Sequence, residues 1–141
     1  MSRILQTSIK TAAAPAAIGP YSQAIRCPWP GDPATAHHLV FLSGQIGLEP
    51  GNPKLVGGGI EAQTRQIFKN VAAILQAAGG SLDQAVKVTV FLRDLSHFPA
   101  VNAIYAKHFS EPYPARSTVA VKDLPLGAEI EIEVTALIPA T

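Results

Sequence analysis

Ala85-Val86-Lys87-Val88-Thr89-Val90-Phe91-Leu92 sets Val86, Val88, Val90 and Leu92 against Lys87, Thr89 and Phe91, the alternation of a half-buried strand. Its place between two helical segments decides the fold class. Upstream, Ile60, Ile67, Phe68, Val71, Ile74, Leu75 and Ala78 recur at i, i+7, i+8, i+11, i+14, i+15 and i+18, one apolar stripe at helical period. Gly79-Gly80 supplies the left-handed stop of that helix. Downstream, Asp94 and Ser96 are caps for a second helix carrying Phe98, Val101, Ile104, Tyr105 and Phe109. Residues 2–6, 23–26 and 39–45 read as strands ahead of the first helix. Residues 115–121 and 129–138 read as strands after the second, joined into a hairpin by a Pro125-Leu126-Gly127 turn. Residues 27–36, with Pro28, Pro30, Gly31, Asp32 and Pro33, read as a loop, as do residues 49–59.

Strand–helix–strand units followed by a hairpin predict an α+β fold, a mixed sheet with both helices on one face. The helix-facing side is expected to hold Val86, Val88, Val90, Val119, Val121, Ile130, Ile132 and Val134. The other side is expected to hold Lys87, Thr89, Phe91, Arg116, Thr118, Glu131 and Glu133, with nothing left in the chain to cover it. A face of that mixed character resembles a subunit seam, so a homo-oligomer with sites near its seams is the expectation. The 141 residues show no repeat and no linker, and residues 1–141 read as a single domain.

Composition removes several classes of function. Hydrophobic residues make up 48% and charged residues 15%, which excludes a disordered chain. A net charge of +1 without a Lys/Arg cluster leaves no electrostatic footprint for nucleic acid or for an anionic membrane. No apolar run reaches transmembrane length. The N-terminal segment has Arg3 and Lys10 and no acid before Asp32, faintly like a transit peptide, but no signal-peptide apolar core follows. Cys27 is the single cysteine, which fits a reducing compartment, and the expected location is the cytoplasm. His37, His38, His97 and His108 have no ligand spacing, so neither a metal nor a cofactor is expected. Gly57-Gly58-Gly59 lacks the Lys-Ser/Thr of a phosphate loop and reads as a flexible connection.

The chemistry concentrates near the C-terminus. Pro114-Ala115-Arg116-Ser117-Thr118 places a cation on a stiffened strand entry, able to grip a carboxylate through two parallel hydrogen bonds. Three of the ten acids, Glu129, Glu131 and Glu133, crowd into five residues of the next strand. The plain reading of the three acids is a solvated strand face; a glutamate buried at a seam must instead find a partner or shift its pKa upward, which makes it a candidate proton donor. The plainer alternative is an ion pair between Arg116 and Glu131 or Glu133 across the hairpin. Tyr21, held by Gly19-Pro20, either lines a pocket or packs on a strand. Asn102 is either a site residue or an exposed helix asparagine.

These residues resemble the reactive intermediate deaminase A (RidA/YjgF) family. The matching pieces are Gly19-Pro20-Tyr21-Ser22-Gln23, Ser43-Gly44-Gln45, Asn70-Val71 and residues 88–95. Phe98, residues 101–105, Pro114-Ala115-Arg116-Ser117-Thr118 and Ile130-Glu131-Ile132-Glu133 continue the match in order over nearly the whole chain. The resemblance implies a chorismate-mutase-like subunit and a homotrimer with sites between subunits. It also implies cofactor-free hydrolysis of enamine and imine intermediates such as 2-aminoacrylate to 2-oxo acids and ammonia. Carried over by motif, Arg116 binds the substrate carboxylate and Glu131 positions or protonates through water. Tyr21, Ser43, Asn102 and, more weakly, Phe91 line the pocket, and Tyr21 and Phe91 are expected from the neighbouring subunit. Thr118 stands where many members have Cys, and residues 27–36 form a longer loop than usual. Two other classes remain open: a binding module for 2-oxo acids without turnover, and the endoribonuclease or translation-inhibitor activity attached to some relatives.

Overall fold

The apolar stripe that defines the first helix is one wall of the core. In the computed structural model, which describes residues 5–31, 34 and 36–140, α1 runs Gly59–Ala77. Its Ile67, Phe68, Val71, Ile74 and Leu75 are all at most 1% exposed. The stop is where the glycines put it: Gly79 takes φ 89° and the Gly80 N–H returns to the Leu75 carbonyl at 2.9 Å. The second helix, α2 (Phe98–Tyr105), follows a 3₁₀ turn whose Asp94 carboxylate accepts from the Ser96 N–H at 2.8 Å.

The strands are β1 (Thr7–Ile9), β2 (Ala24–Trp29), β3 (His37–Leu42), β4 (Ala85–Leu92), β5 (Ala115–Ala120) and β6 (Ile130–Pro139). They form a six-stranded sheet in the order β1-β2-β3-β6-β4-β5, antiparallel except for the parallel β4–β5 pair. Alternate residues of the central strands, among them Val40, Val88, Val90, Ile130, Ile132 and Ile138, are at most 1% exposed beneath the helices. Each such side chain contributes roughly 1.5–3 kcal/mol through the water it leaves behind. The α+β architecture with both helices on one face is as the alternation predicts.

The structure corrects three expectations about strands and leaves a fourth partly outside the described residues. Residues 27–29 are not loop: β2 continues to Trp29, with Pro28 opposite His38. Among the described residues β1 pairs only as far as Arg26, and past that point the missing proline N–H leaves no described ladder bond unmade. The expected strand at residues 2–6 lies partly outside the described residues, and the first described strand begins at Thr7. β5 and β6 are not a hairpin pair, because β6 passes between β3 and β4 and leaves β5 at the edge. Val86 is 44% exposed, since a bulge between Ala85 and Lys87 resets the alternation there.

The parallel register has a larger consequence. Arg116 pairs with Val88 and Thr118 with Val90, whereas Val119 pairs with Phe91. Directly opposed residues share a face, so Arg116 and Thr118 lie on the helix side and Val119, 42% exposed, on the open side. This inverts the expected placement of β5. The cause is the parallel partner, which fixes phase independently of the glutamate strand.

Candidate active site

β6 carries Glu131 onto the open face, opposite Phe91 of β4. Beyond β3 the chain continues through Ser43-Gly44-Gln45, and Gln45 clips onto Ile132 by reciprocal backbone bonds of 2.8 and 3.0 Å. That bridge lays Gly44 against the Glu131 carboxylate. A Cβ on Gly44 would overlap Glu131 Oε1, so only glycine permits this approach. Tyr21 stands in a tight turn closed by its N–H to the Gly19 carbonyl at 2.8 Å, and its phenol oxygen accepts from the Ile18 N–H at 3.3 Å. Ser43 secures the turn, its hydroxyl donating to the Ser22 carbonyl at 2.6 Å.

Between these parts lies a cavity of about 240 Å³ lined by Tyr21, Gly44, Glu131, Ile18, Leu48 and Leu126 among others. Two buried amides hold its walls. The Gln23 side chain accepts from the Thr11 N–H at 2.7 Å and donates to the Pro15 carbonyl at 2.8 Å. Asn70, 1% exposed, donates to the Leu48 carbonyl at 2.8 Å while accepting from Gln66 at 3.0 Å. Burial raises the Glu131 pKa above the ordinary carboxylate value, and the nearby Glu133 charge pushes it the same way. A carboxyl raised in this way holds its proton more readily than a solvated one and is suited to exchange it with a bound water.

On the other face, Arg116 rests on α2. Its Nη1 donates to Asn102 Oδ1 at 2.9 Å, and its guanidinium lies 4.5 Å from the Tyr105 ring centre and 5.3 Å from that of Phe98. Phe98, Asn102 and Tyr105 follow at i, i+4 and i+7, one stripe of the helix. The aromatic faces attract the cation while leaving its outer N–H groups to solvent. Among the described residues the guanidinium has no carboxylate within 4.0 Å. Tyr105 Oη and Thr118 Oγ1 are buried there without a hydrogen-bond partner among the described residues. Burial raises the Tyr105 pKa, against the lowering effect of the Arg116 charge.

Residues 11–138 match the family model for endoribonuclease L-PSP. The chain belongs to the endoribonuclease L-PSP family. It is 48% identical over 135 residues to the chloroplastic Reactive Intermediate Deaminase A of Arabidopsis thaliana, covering 96% of this chain and 67% of that protein. It is 42% identical over 137 residues to the human 2-iminobutanoate/2-iminopropanoate deaminase, covering 97% and 93%. Among solved structures it superposes on E. coli TdcF with bound serine at a TM-score of 0.78, with 36% identity over 95% of this chain and 99% of that one. These relatives include the deaminases whose motifs the sequence displays. Among the described residues no cluster of His, Cys, Asp and Glu is placed to hold a metal ion, and no helix is long and apolar enough to cross a membrane.

Within this family member the candidate residues fall into two groups. Tyr21, Ser43 and Glu131 assemble around the cavity, with Phe91 beside Glu131 on the same face. Arg116, Asn102 and Thr118 collect on the helix side. The expected grouping, Arg116 with Glu131 in one subunit and Tyr21 from the next, therefore does not hold. The ion-paired hairpin does not form either, because β4 separates β5 from β6. Asn102 is an Arg116 ligand rather than a free surface amide. Sequence reasoning overlooked Gly44 as a contact point, Gln23 and Asn70 as wall anchors, and Phe98 and Tyr105 as the platform under Arg116. Two of these carried a signal: Asn70 interrupts the apolar stripe between Ile67 and Ile74, and Phe98-Asn102-Tyr105 share a helical face.

Proposed function

We propose that this chain hydrolyses small 2-imino acids, the tautomers of 2-aminoacrylate-type enamines, to 2-oxo acids and ammonia. The observation that carries the reading is the pairing of a half-buried Glu131, its pKa raised by burial, in an apolar cavity with a guanidinium that no carboxylate among the described residues occupies. The names of the Arabidopsis and human relatives support the reaction, and the serine bound to TdcF supports a small carboxylate-bearing ligand.

Arg116 binds the substrate carboxylate through two charge-assisted hydrogen bonds, its direction set by Asn102 and the Tyr105 and Phe98 rings. Water held between Tyr21 and Glu131 adds to the imine carbon. A C–O bond forms, the C=N π pair moves to nitrogen, and Glu131 takes the proton from water. Returning that proton to nitrogen gives the carbinolamine; a second transfer through Glu131, from the hydroxyl to nitrogen, lets the C–N bond break, and ammonia departs as the ketone forms. The carbon keeps its oxidation state, so no redox cofactor takes part. Such imines hydrolyse unaided, and positioning with proton transfer supplies the acceleration.

Because Arg116 and Glu131 project from opposite faces, one site takes Arg116 from one subunit and Glu131 with Tyr21 and Ser43 from the next. Phe91 flanks the Glu131 side, and Asn102 and Thr118 the Arg116 side. A homotrimer, closing the contact into a ring, is the assembly that the family resemblance favours. The open face supplies apolar surface for it, with Phe41 45% and Val119 42% exposed. The lone Cys27 suits the cytoplasm. The test couples the protein to a serine or threonine dehydratase and follows keto-acid release. Acceleration by the wild type, lost in Arg116→Ala with the oligomer intact, is expected; undiminished acceleration in that variant would remove Arg116 from the mechanism. No acceleration by the wild type would leave a binding module.

A further inference from the structure

One residue of the cavity is placed at a disadvantage for folding. Leu126, in the Pro125–Gly127 turn, adopts φ 57° and ψ 19°, and it is the one non-glycine with positive φ among the described residues. A leucine there crowds its Cβ against the backbone, a conformation that glycine or asparagine adopts more readily. Its side chain is also 61% exposed, so it gains little from burial. The surrounding structure holds the turn in place. The Gly127 N–H bonds the Leu124 carbonyl at 3.2 Å, the Ala128 N–H bonds the Pro125 carbonyl at 3.0 Å, and Arg93 donates to the Gly127 carbonyl at 3.3 Å. Ala128, fully buried, pins the exit of the turn to the core.

What the strained leucine does line is the cavity. It joins Ile18, Ile46 and Leu48 as its apolar lining, in the same cavity that Glu131 and Tyr21 line. Backbone strain concentrated at a ligand-facing residue, with no folding benefit from the side chain, is the pattern of a residue kept for what it contacts.

We propose that Leu126 closes the outer wall of the cavity and sets its preference for imino acids with a branched aliphatic side chain over those with a methyl group. The proposal rests on the deaminase reading above and goes beyond it by naming a substrate class and the residue that selects it. The polar end of the substrate stays with Arg116 and Glu131, and the side chain lies against Leu126, Ile18 and Leu48.

The experiment compares wild type, Leu126→Gly and Leu126→Asn on the imines of leucine and alanine, generated in situ by an amino-acid oxidase. Leu126→Gly relieves the strain and removes the wall; Leu126→Asn keeps a side chain in the same backbone conformation but makes it polar. In both, kcat/KM for the leucine imine is expected to fall about 5- to 20-fold relative to the alanine imine, the loss of one or two methylene contacts. Leu126→Gly is expected to melt no lower than wild type, and up to about 2–4 °C higher. Where the wild type is active, a leucine-to-alanine ratio unchanged in both variants, or a wild type that favours the alanine imine, overturns the Leu126 role and leaves the deaminase reading standing. If the wild type turns over neither imine, the deaminase reading fails. Calorimetric binding of 4-methyl-2-oxopentanoate against pyruvate then decides on Leu126 by the same ratio. A change of oligomer mass in both variants also overturns the proposal, because Leu126 would then be a subunit contact.

Discussion

The Glu131 cavity and the Arg116 platform are built in different ways. The cavity is a loop construction: Tyr21, Gly44 and Leu126 sit on three separate connections, held by the buried amides of Gln23 and Asn70. The platform is a helix construction, with Phe98, Asn102 and Tyr105 rigidly spaced on α2 beneath one cation. The first encloses a half-buried carboxyl in largely apolar walls; the second fixes a charge and leaves it in solvent. That division suits a site closed by association, since the exposed cation must reach outward and the half-buried acid must wait in a formed pocket.

The sharpest way to break this comparison is to damage each half separately and then mix the halves. Arg116→Ala and Glu131→Gln are each expected to lower kcat/KM by about 100- to 10,000-fold, the scale of a charge-assisted clamp or a general acid–base group. In equal mixtures co-assembled from the two inactive variants, about a quarter of the sites join an intact Arg116 to an intact Glu131 across a seam. Activity should recover to about that fraction. No recovery in mixtures whose co-assembly native mass spectrometry confirms would place both residues in the same subunit's site and end the two-face account.

Gly44→Ala tests the cavity alone. Its added methyl meets the Glu131 carboxylate, so the acid must swing away from its position over the bridge. A displaced general acid–base group is expected to lower kcat about 10- to 100-fold with little change in KM. A rise confined to KM would mean that Glu131 only shapes the pocket.

Asn102→Ala tests the platform alone and has a smaller expected effect. It removes the 2.9 Å bond that orients Arg116 but leaves the aromatic stack. KM should rise about 3- to 10-fold at nearly constant kcat, the worth of one solvent-exposed orienting hydrogen bond. Tyr105→Phe should match wild type in both constants, because the hydroxyl it removes has no partner among the described residues and the ring is what faces the cation. A tenfold loss in Tyr105→Phe would show the hydroxyl touching substrate.

The two halves were also unequally legible in the sequence. Helix α1, β4 and the stop at Gly79 follow from periods of 3.6 and 2, which side-chain burial enforces locally. Which strand lies beside which does not follow from period, and that is where the reading of Arg116 went astray. A hairpin between β5 and β6 satisfies every local pattern, yet the sheet inserts β6 between β3 and β4. Pro28 misled for the opposite reason: a residue that punctuates most strands is harmless where, among the described residues, no strand pairs on that side. Motif resemblance named Tyr21, Ser43, Asn102, Arg116 and Glu131, but assigning them to two faces needed the register.

The smallest effect separates the halves by pH. Burial raises the Glu131 pKa in the folded chain, with Glu133 adding to it, so the folded state holds this proton more tightly than the unfolded one. Its contribution to stability is fully present below the unfolded carboxylate pKa and is lost as pH rises through the higher folded value. Glu131→Gln, permanently neutral, is therefore expected to match wild type in melting temperature at pH 4 and to exceed it slightly at pH 7. Arg116→Ala removes a cation that stays protonated throughout this range, so its difference from wild type should be flat with pH. A Glu131→Gln difference that is flat or shrinks toward pH 7 would mean that the carboxylate is well solvated, and the proton store in the cavity would have to be sought elsewhere.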